Sequence, residues 1–195
     1  NSGSEITISD SDVLAAYKSL SGYDGTEATD IGVTCLNALK FWRKTGISGH
    51  RILSFAQFKL KNEDLLKEAV YTFGGAYVGL QLPIFARFEC YAFEHSQSPK
   101  GAAFKMLPGG TKDFGRPGSW GNHCVCIVGY SDTELIFISW GRRMTLTIEF
   151  FRTYCDESYV ALSQDWLDSA KHAPNHIDLP RLQQEMKQFS RVKQS

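Results

Sequence analysis

Apolar residues recur at helical spacing early in the chain and at its end, and in shorter β-branched runs later, so helices are expected first and strands afterwards. Val13, Leu14, Tyr17 and Leu20 share one helical face between a capping Ser9 or Ser11 and a stop at Ser21-Gly22. A second helix is expected from about Thr34 to Lys44, with Cys35, Leu36, Leu39 and Trp42 on one side and Gly46 as terminator. Within residues 47–58 lies a short strand candidate, "RILSFAQF". The third helix carries the fullest signal. Asn62 caps it, Glu63 and Asp64 suit its positive end, Leu65, Leu66, Ala69, Val70 and Phe73 line one face, and Gly74-Gly75 closes it. The strand "AYVGLQLP" follows. Residues 83–121 are less regular, and 107–121, "LPGGTKDFGRPGSWG", read as an exposed Gly/Pro-rich loop. Strands are then expected at 122–130, 134–140 and 143–149, followed by a helical turn "EFFRTYCDE" and a strand "SYVALS". A last helix over 178–193 opens on Asp178 and turns Leu179, Leu182, Met186 and Phe189 inward. Helices followed by a meander of strands give an α+β fold, a helical side against an antiparallel sheet or half-barrel, as one domain over 1–195.

Composition narrows the function without naming it. Lys plus Arg equal Asp plus Glu at 21 each, and no basic stripe is interleaved with aromatics, so nucleic acid is not an expected partner. No apolar run reaches the length of a membrane span, and the polar opening "NSGSEITISD" carries no signal segment, so a soluble protein of the cytoplasm, or of a phage particle, is expected. The five cysteines, Cys35, Cys90, Cys124, Cys126 and Cys155, are scattered and fall in no CxxC pattern, which points to free thiols. Residue 1 is Asn, so the chain reads either as the downstream part of a longer product, lacking an N-terminal segment, or as one whose terminus is processed or trimmed.

The chemistry centres on "GSWGNHCVCIVGY", residues 118–130. Side chains alternate on a strand, so His123 and Val125 point one way and Cys124 and Cys126 the other. A tetrahedral metal needs converging ligands, so "HCVC" builds no metal site, and the two cysteines are expected in the core. An imidazole at the start of a strand, after glycines that admit a substrate backbone, is placed to act as a general base, although a strand-edge histidine satisfied by local backbone is the plainer reading. Neither a cofactor nor a metal is implied.

"NHCVCIVGYSDTELIFISWG" resembles the histidine segment of papain-like cysteine peptidases, where His-Ala-Val-x-x-x-Gly-Tyr leads to a strand reaching Asn-Ser-Trp-Gly. "FWRKTGISGH", "FGGAYVGLQLP" and "WGRRMTLTIEFFRTYCDESY" are similar to segments shared by papain-like proteins of tailed phages and bacteria, and the likeness covers roughly residues 9–167. The resemblance implies a papain-like fold. It implies that His123 is the imidazole of a thiolate–imidazolium pair and that Trp140-Gly141 is its shield. The orienting Asn is replaced by Ile138, which leaves Ser139 as a possible support. The likeness begins downstream of the nucleophile, so the reactive Cys belongs before Asn1. Two functions follow from it. One is a thiol-dependent hydrolase of peptide or isopeptide-type bonds; the other is a non-catalytic papain-fold module that binds a protein partner, for example a structural component of a phage particle. The oligomeric state is left open.

Other residues carry less. Asp30-Ile31-Gly32-Val33-Thr34-Cys35-Leu36 resembles the Asp-Cys-Gly-x-x-Cys-Leu segment of bacteriocin-exporter peptidases, but the nucleophile's place holds Ile31. Cys35 is therefore expected as a buried helix residue. His50 is expected as an exposed loop histidine, and Asp156-Glu157 as a solvated turn. Asp132, Glu134 and Glu149 show no paired placement for glycosidase chemistry.

Overall fold

A computed structural model describes residues 6–94, 103–108 and 110–191. Its elements run α1 (Asp10–Ser21), α2 (Cys35–Lys44), β1 (Ile52–Gln57), α3 (Glu63–Phe73), β2 (Ala76–Leu82), α4 (Ile84–Glu94), β3 (Ala103–Phe104), β4 (Gly121–Tyr130), β5 (Glu134–Ser139), β6 (Arg142–Thr147), α5 (Ile148–Tyr154), β7 (Cys155–Ser163) and α6 (Leu179–Arg191). Asn1, Gly109 and the last two residues of the helix expected over 178–193 lie outside the described residues.

Mixed helices and a largely antiparallel sheet make this an α+β protein. The chain divides into two compact units, residues 1–56 with 161–188, and residues 57–160 with 189–195.

In the first unit, local capping sets the helices. Ser9 Oγ accepts the Asp12 N–H at 3.2 Å at the start of α1, and Gly22 closes it in the left-handed region. Thr34 Oγ1 accepts the Asn37 N–H at the start of α2, and the Asp178 carboxylate accepts the Arg181 N–H at 2.8 Å in the first turn of α6. The face expected inward on α1 is turned out: Val13 and Leu14 are exposed, Tyr17 and Leu20 half-buried, and Ala16 is the buried residue. Apolar spacing gives a helix's period but does not say which side meets a partner.

In the second unit six strands lie in the order β7, β2, β4, β5, β6, β3, antiparallel except for β3, which runs parallel to β6. Leu66, Ala69, Val70 and Phe73 are the buried face of α3, as its spacing requires. Alternate residues of the sheet are fully buried: Val78, Leu80 and Leu82 on β2, Val125 and Ile127 on β4, Leu135 and Phe137 on β5, Met144 and Leu146 on β6. Phe85, Phe104, Phe137, Phe150 and Tyr154 join in ring contacts, with centroids 4.5–6.2 Å apart.

Three expectations are corrected here. The irregular stretch after residue 83 contains α4. Cys124 and Cys126 are not core residues; Cys124 is half-buried and Cys126 exposed, because the buried side of β4 belongs to Val125 and Ile127. Asp156 and Glu157 are half-buried on β7 rather than in a solvated turn, since α5 ends at Tyr154 and the strand begins at once. Burial raises the Asp156 carboxyl above its ordinary range, and the nearby Glu157 adds to the effect.

Candidate functional site

The loop before β4 is tied down at its end. Gly118 N–H donates to the Gln81 carbonyl at 3.1 Å and Trp120 N–H to the Leu82 carbonyl at 3.0 Å, which bind the loop to the end of β2. Ser119 Oγ accepts the Ile84 N–H at 2.8 Å and so supplies α4 with a cap from 35 residues away. The chain thus enters β4 from a fixed position. The register, Leu80 opposite His123, places the imidazole at the end of the row continued by Val125 and Ile127.

Across β4 and β5, Cys126 is opposite Ile138. Ile138, where the papain-like pattern has Asn, is therefore on the cysteine side, 41% exposed and turned away from the imidazole. Ser139 falls on the His123 side. It is 7% exposed, and its Oγ lies 2.6 Å from His123 Nε2. Where Nε2 carries the proton, it donates to Ser139 Oγ and Nδ1 presents its lone pair. Among the described residues no hydrogen bond reaches Nδ1.

The next two residues form the hairpin turn. Trp140 and Gly141 have φ of +48° and +67°, and Ser139 pairs with Arg142, so this is a two-residue connection with both central residues in the left-handed region. Asn-Gly or Gly-Gly is the usual choice there, and a bulky side chain is strained. The strained backbone lays the indole flat on the imidazole, with ring centroids 4.3 Å apart and planes 11° apart. Trp120 stacks on Trp140 at 5.9 Å.

Burial holds His123 below its usual 6.5, which leaves the ring neutral at pH 7. A histidine with a lowered folded-state pKa contributes stability in full above the unfolded value of 6.5, and that contribution is lost as pH falls through the lower folded value. Between pH 7.5 and 5 the unfolding midpoint of the wild type should therefore fall more than that of His123→Gln. Equal falls would mean the ring titrates as if in water. Trp140→Asn, which keeps the turn and removes the ring cover, should move the imidazole pKa back toward 6.5, as followed by NMR titration of the ring protons.

Arg87, Cys90 and Tyr91 of α4, Trp120, Trp140, and Arg142 and Met144 of β6 line a cavity of about 420 Å³ beside the stacked rings. This wall is not legible in the sequence, because α4, which supplies three of its residues, is not. His50 and Cys35 lie in the first unit. His50 is half-buried, not exposed, and its Nδ1 is 3.0 Å from Asp165 Oδ2, a partner 115 residues away. Cys35 is 5% exposed at the start of α2, buried as its helical face requires.

Compared with family profiles and with curated proteins, the chain finds no match. Among solved structures it is similar to the Carica candamarcensis cysteine protease CMS1MS2, solved in complex with E-64, at 15% identity and a TM-score of 0.45, over 78% of this chain and 85% of that one.

Proposed function

We propose that this chain carries the general-base half of a papain-like cysteine hydrolase that cleaves a peptide or isopeptide-type acyl bond, with the thiol supplied by a segment preceding Asn1. The single observation that carries the reading is His123 itself: its Nε2 is occupied by Ser139 at 2.6 Å, and its ring is covered by Trp140 at the edge of a cavity.

In this reading Ser139 takes over the missing Asn's hydrogen bond and sets the tautomer. Nδ1 accepts the thiol proton, and the thiolate adds to the acyl carbon. The tetrahedral oxyanion is held by backbone N–H groups at the thiol's own helix. As the C–N bond breaks, the imidazolium returns its proton to the leaving amine, and water then hydrolyses the thioester with Nδ1 again as base. Low burial-shifted basicity suits a ring that must hold a proton only while a thiolate sits beside it.

A longer product that includes the residues encoded before Asn1 tests this. A thiol-reactive acyl-peptide probe should label a Cys there, and His123→Ala should slow labelling by about 10²–10⁴-fold. Ser139→Ala should slow it less, with the pH profile displaced, since the ring keeps its stack on Trp140. Absence of a Cys in that segment, or a labelling rate unchanged by His123→Ala, would overturn the proposal. The second reading, a non-catalytic binding or phage-particle module, is favoured by Ile138 in the Asn position, and absence of that Cys would leave it standing.

A further inference from the structure

We infer that a cavity within the unit of residues 1–56 and 161–188 binds a primary ammonium group, carried by a lysine side chain or by the free N-terminus of a peptide. The inference is independent of the hydrolase reading. The cavity measures about 380 Å³, and His50 and Asp165 stand in its wall. Both are held by local backbone structure. Ile47 and His50 exchange both of their backbone hydrogen bonds at 2.9 Å around Ser48 and Gly49, whose φ of +50° and +84° make a two-residue turn in the left-handed region. Asp165 is fixed by Ser163, whose Oγ accepts the Asp165 N–H at 3.1 Å and donates to Oδ2 at 3.3 Å. The two side chains meet at 3.0 Å, His50 Nδ1 to Asp165 Oδ2.

That contact decides what is left for a ligand. A carboxylate only accepts, so Nδ1 carries the proton, and in the neutral ring Nε2 presents a lone pair. Among the described residues no hydrogen bond reaches His50 Nε2 or Asp165 Oδ1, and the two side chains are 32% and 27% exposed. The pair thus offers two acceptor atoms and one formal negative charge, and neither Lys nor Arg is among the described residues of the wall. A ligand that meets both atoms must donate at least two hydrogen bonds, and it gains most if it is a cation. Two such atoms are too few for a metal ion, and among the described residues no group of three His, Cys, Asp or Glu side chains is placed to hold one. An ammonium group has three donors and no acceptor. Ile6, Ile8, Trp42 and Trp166 make the apolar part of the wall, which suits the methylene stem behind that charge, and an indole face attracts a cation laid over it.

NMR titration of the chain at neutral pH with three probes tests the inference and separates the two sources of ammonium. The probes are N-acetyl-lysine methylamide, norleucine methylamide with its α-amine free, and N-acetyl-norleucine methylamide, which keeps the stem and carries no ammonium. The His50 ring protons, assigned by their loss in His50→Gln, should shift with one or both amines, and the amine that binds more tightly names the source. That amine should bind about tenfold more tightly than N-acetyl-norleucine methylamide. Asp165→Asn keeps the size of the side chain, puts an amide in place of the charge, and should bring the ratio close to one. The ring shift is read in the wild type, so the inference stays testable if that variant unfolds. Equal affinity for all three probes, no binding of any, ring protons that stay in place at saturation, or a preference untouched by a folded Asp165→Asn would each overturn it.

Discussion

Phe150→Ala is expected to cost the unit of residues 57–160 about 3–5 kcal/mol, measured as the loss in urea-unfolding free energy. Phe150 is fully buried on α5, and its ring meets Phe85 of α4 at 6.1 Å, Phe104 of β3 at 5.3 Å and Tyr154 at 4.5 Å. Truncation removes the area the ring buries and leaves a void whose walls come from three separate elements. Those walls cannot collapse together without moving backbone, so the cost belongs at the upper part of the range for large-to-small changes. Phe150→Leu keeps most of the volume and should cost about half as much. Val13→Ala on the outward face of α1 should stay within about 0.5 kcal/mol, because that side chain is already in solvent. A small loss at Phe150 would mean the aromatic chain is not the core it is taken for.

What the sequence made legible, and what it did not, divides along the range of the interactions. α3 is readable because everything that forms it is local: Asn62 Oδ1 accepts the Leu65 N–H at 3.1 Å, the acids sit in the first turn, and Gly74 takes the left-handed closing position. The alternation of β4 is local too, and it placed His123 on the side away from Cys124 and Cys126. α4 was hidden because its cap is Ser119, 35 residues away, and because Phe88 and Tyr91 stand exposed beside the buried Phe85 and Ala86, which blurs the apolar face. With α4 unseen, Arg87 and Tyr91 could not be brought to the His123 neighbourhood. His50 was misjudged for the same reason, its partner Asp165 being 115 positions on. Ser139 lay between these cases. Its residue type was weak support on paper, and only the β4–β5 register, which sends Ile138 to one side and Ser139 to the other, decides that it meets the imidazole.

Gly115→Ala should cost about 3 kcal/mol although it adds a single methyl group. A Cβ at this buried position would lie 1.9 Å from the carbonyl oxygen of Gly110, which is backbone and cannot rotate away. The loop yields by moving Gly110, Gly115 or both, and Gly115 is itself anchored: its carbonyl accepts the Tyr154 hydroxyl at 2.7 Å in the interior. To the extent that Gly115 gives way, that hydrogen bond loosens, and a buried carbonyl left without its donor costs about 1–3 kcal/mol. Tyr154→Phe should show this second cost alone. The double variant should then be less destabilised than the sum of the two, since both changes act on one carbonyl. The consequence reaches the site along the chain. Four and five residues on are Ser119, which caps α4, and Trp120, which stacks on Trp140, so Gly115→Ala should also loosen the Trp120–Trp140 stack, read as a change in the near-ultraviolet circular dichroism at temperatures where the unit is still folded. A variant as stable as the wild type, or equally destabilised with the near-ultraviolet signal intact, would show that the 107–121 loop holds neither the stacked indoles nor the approach to His123.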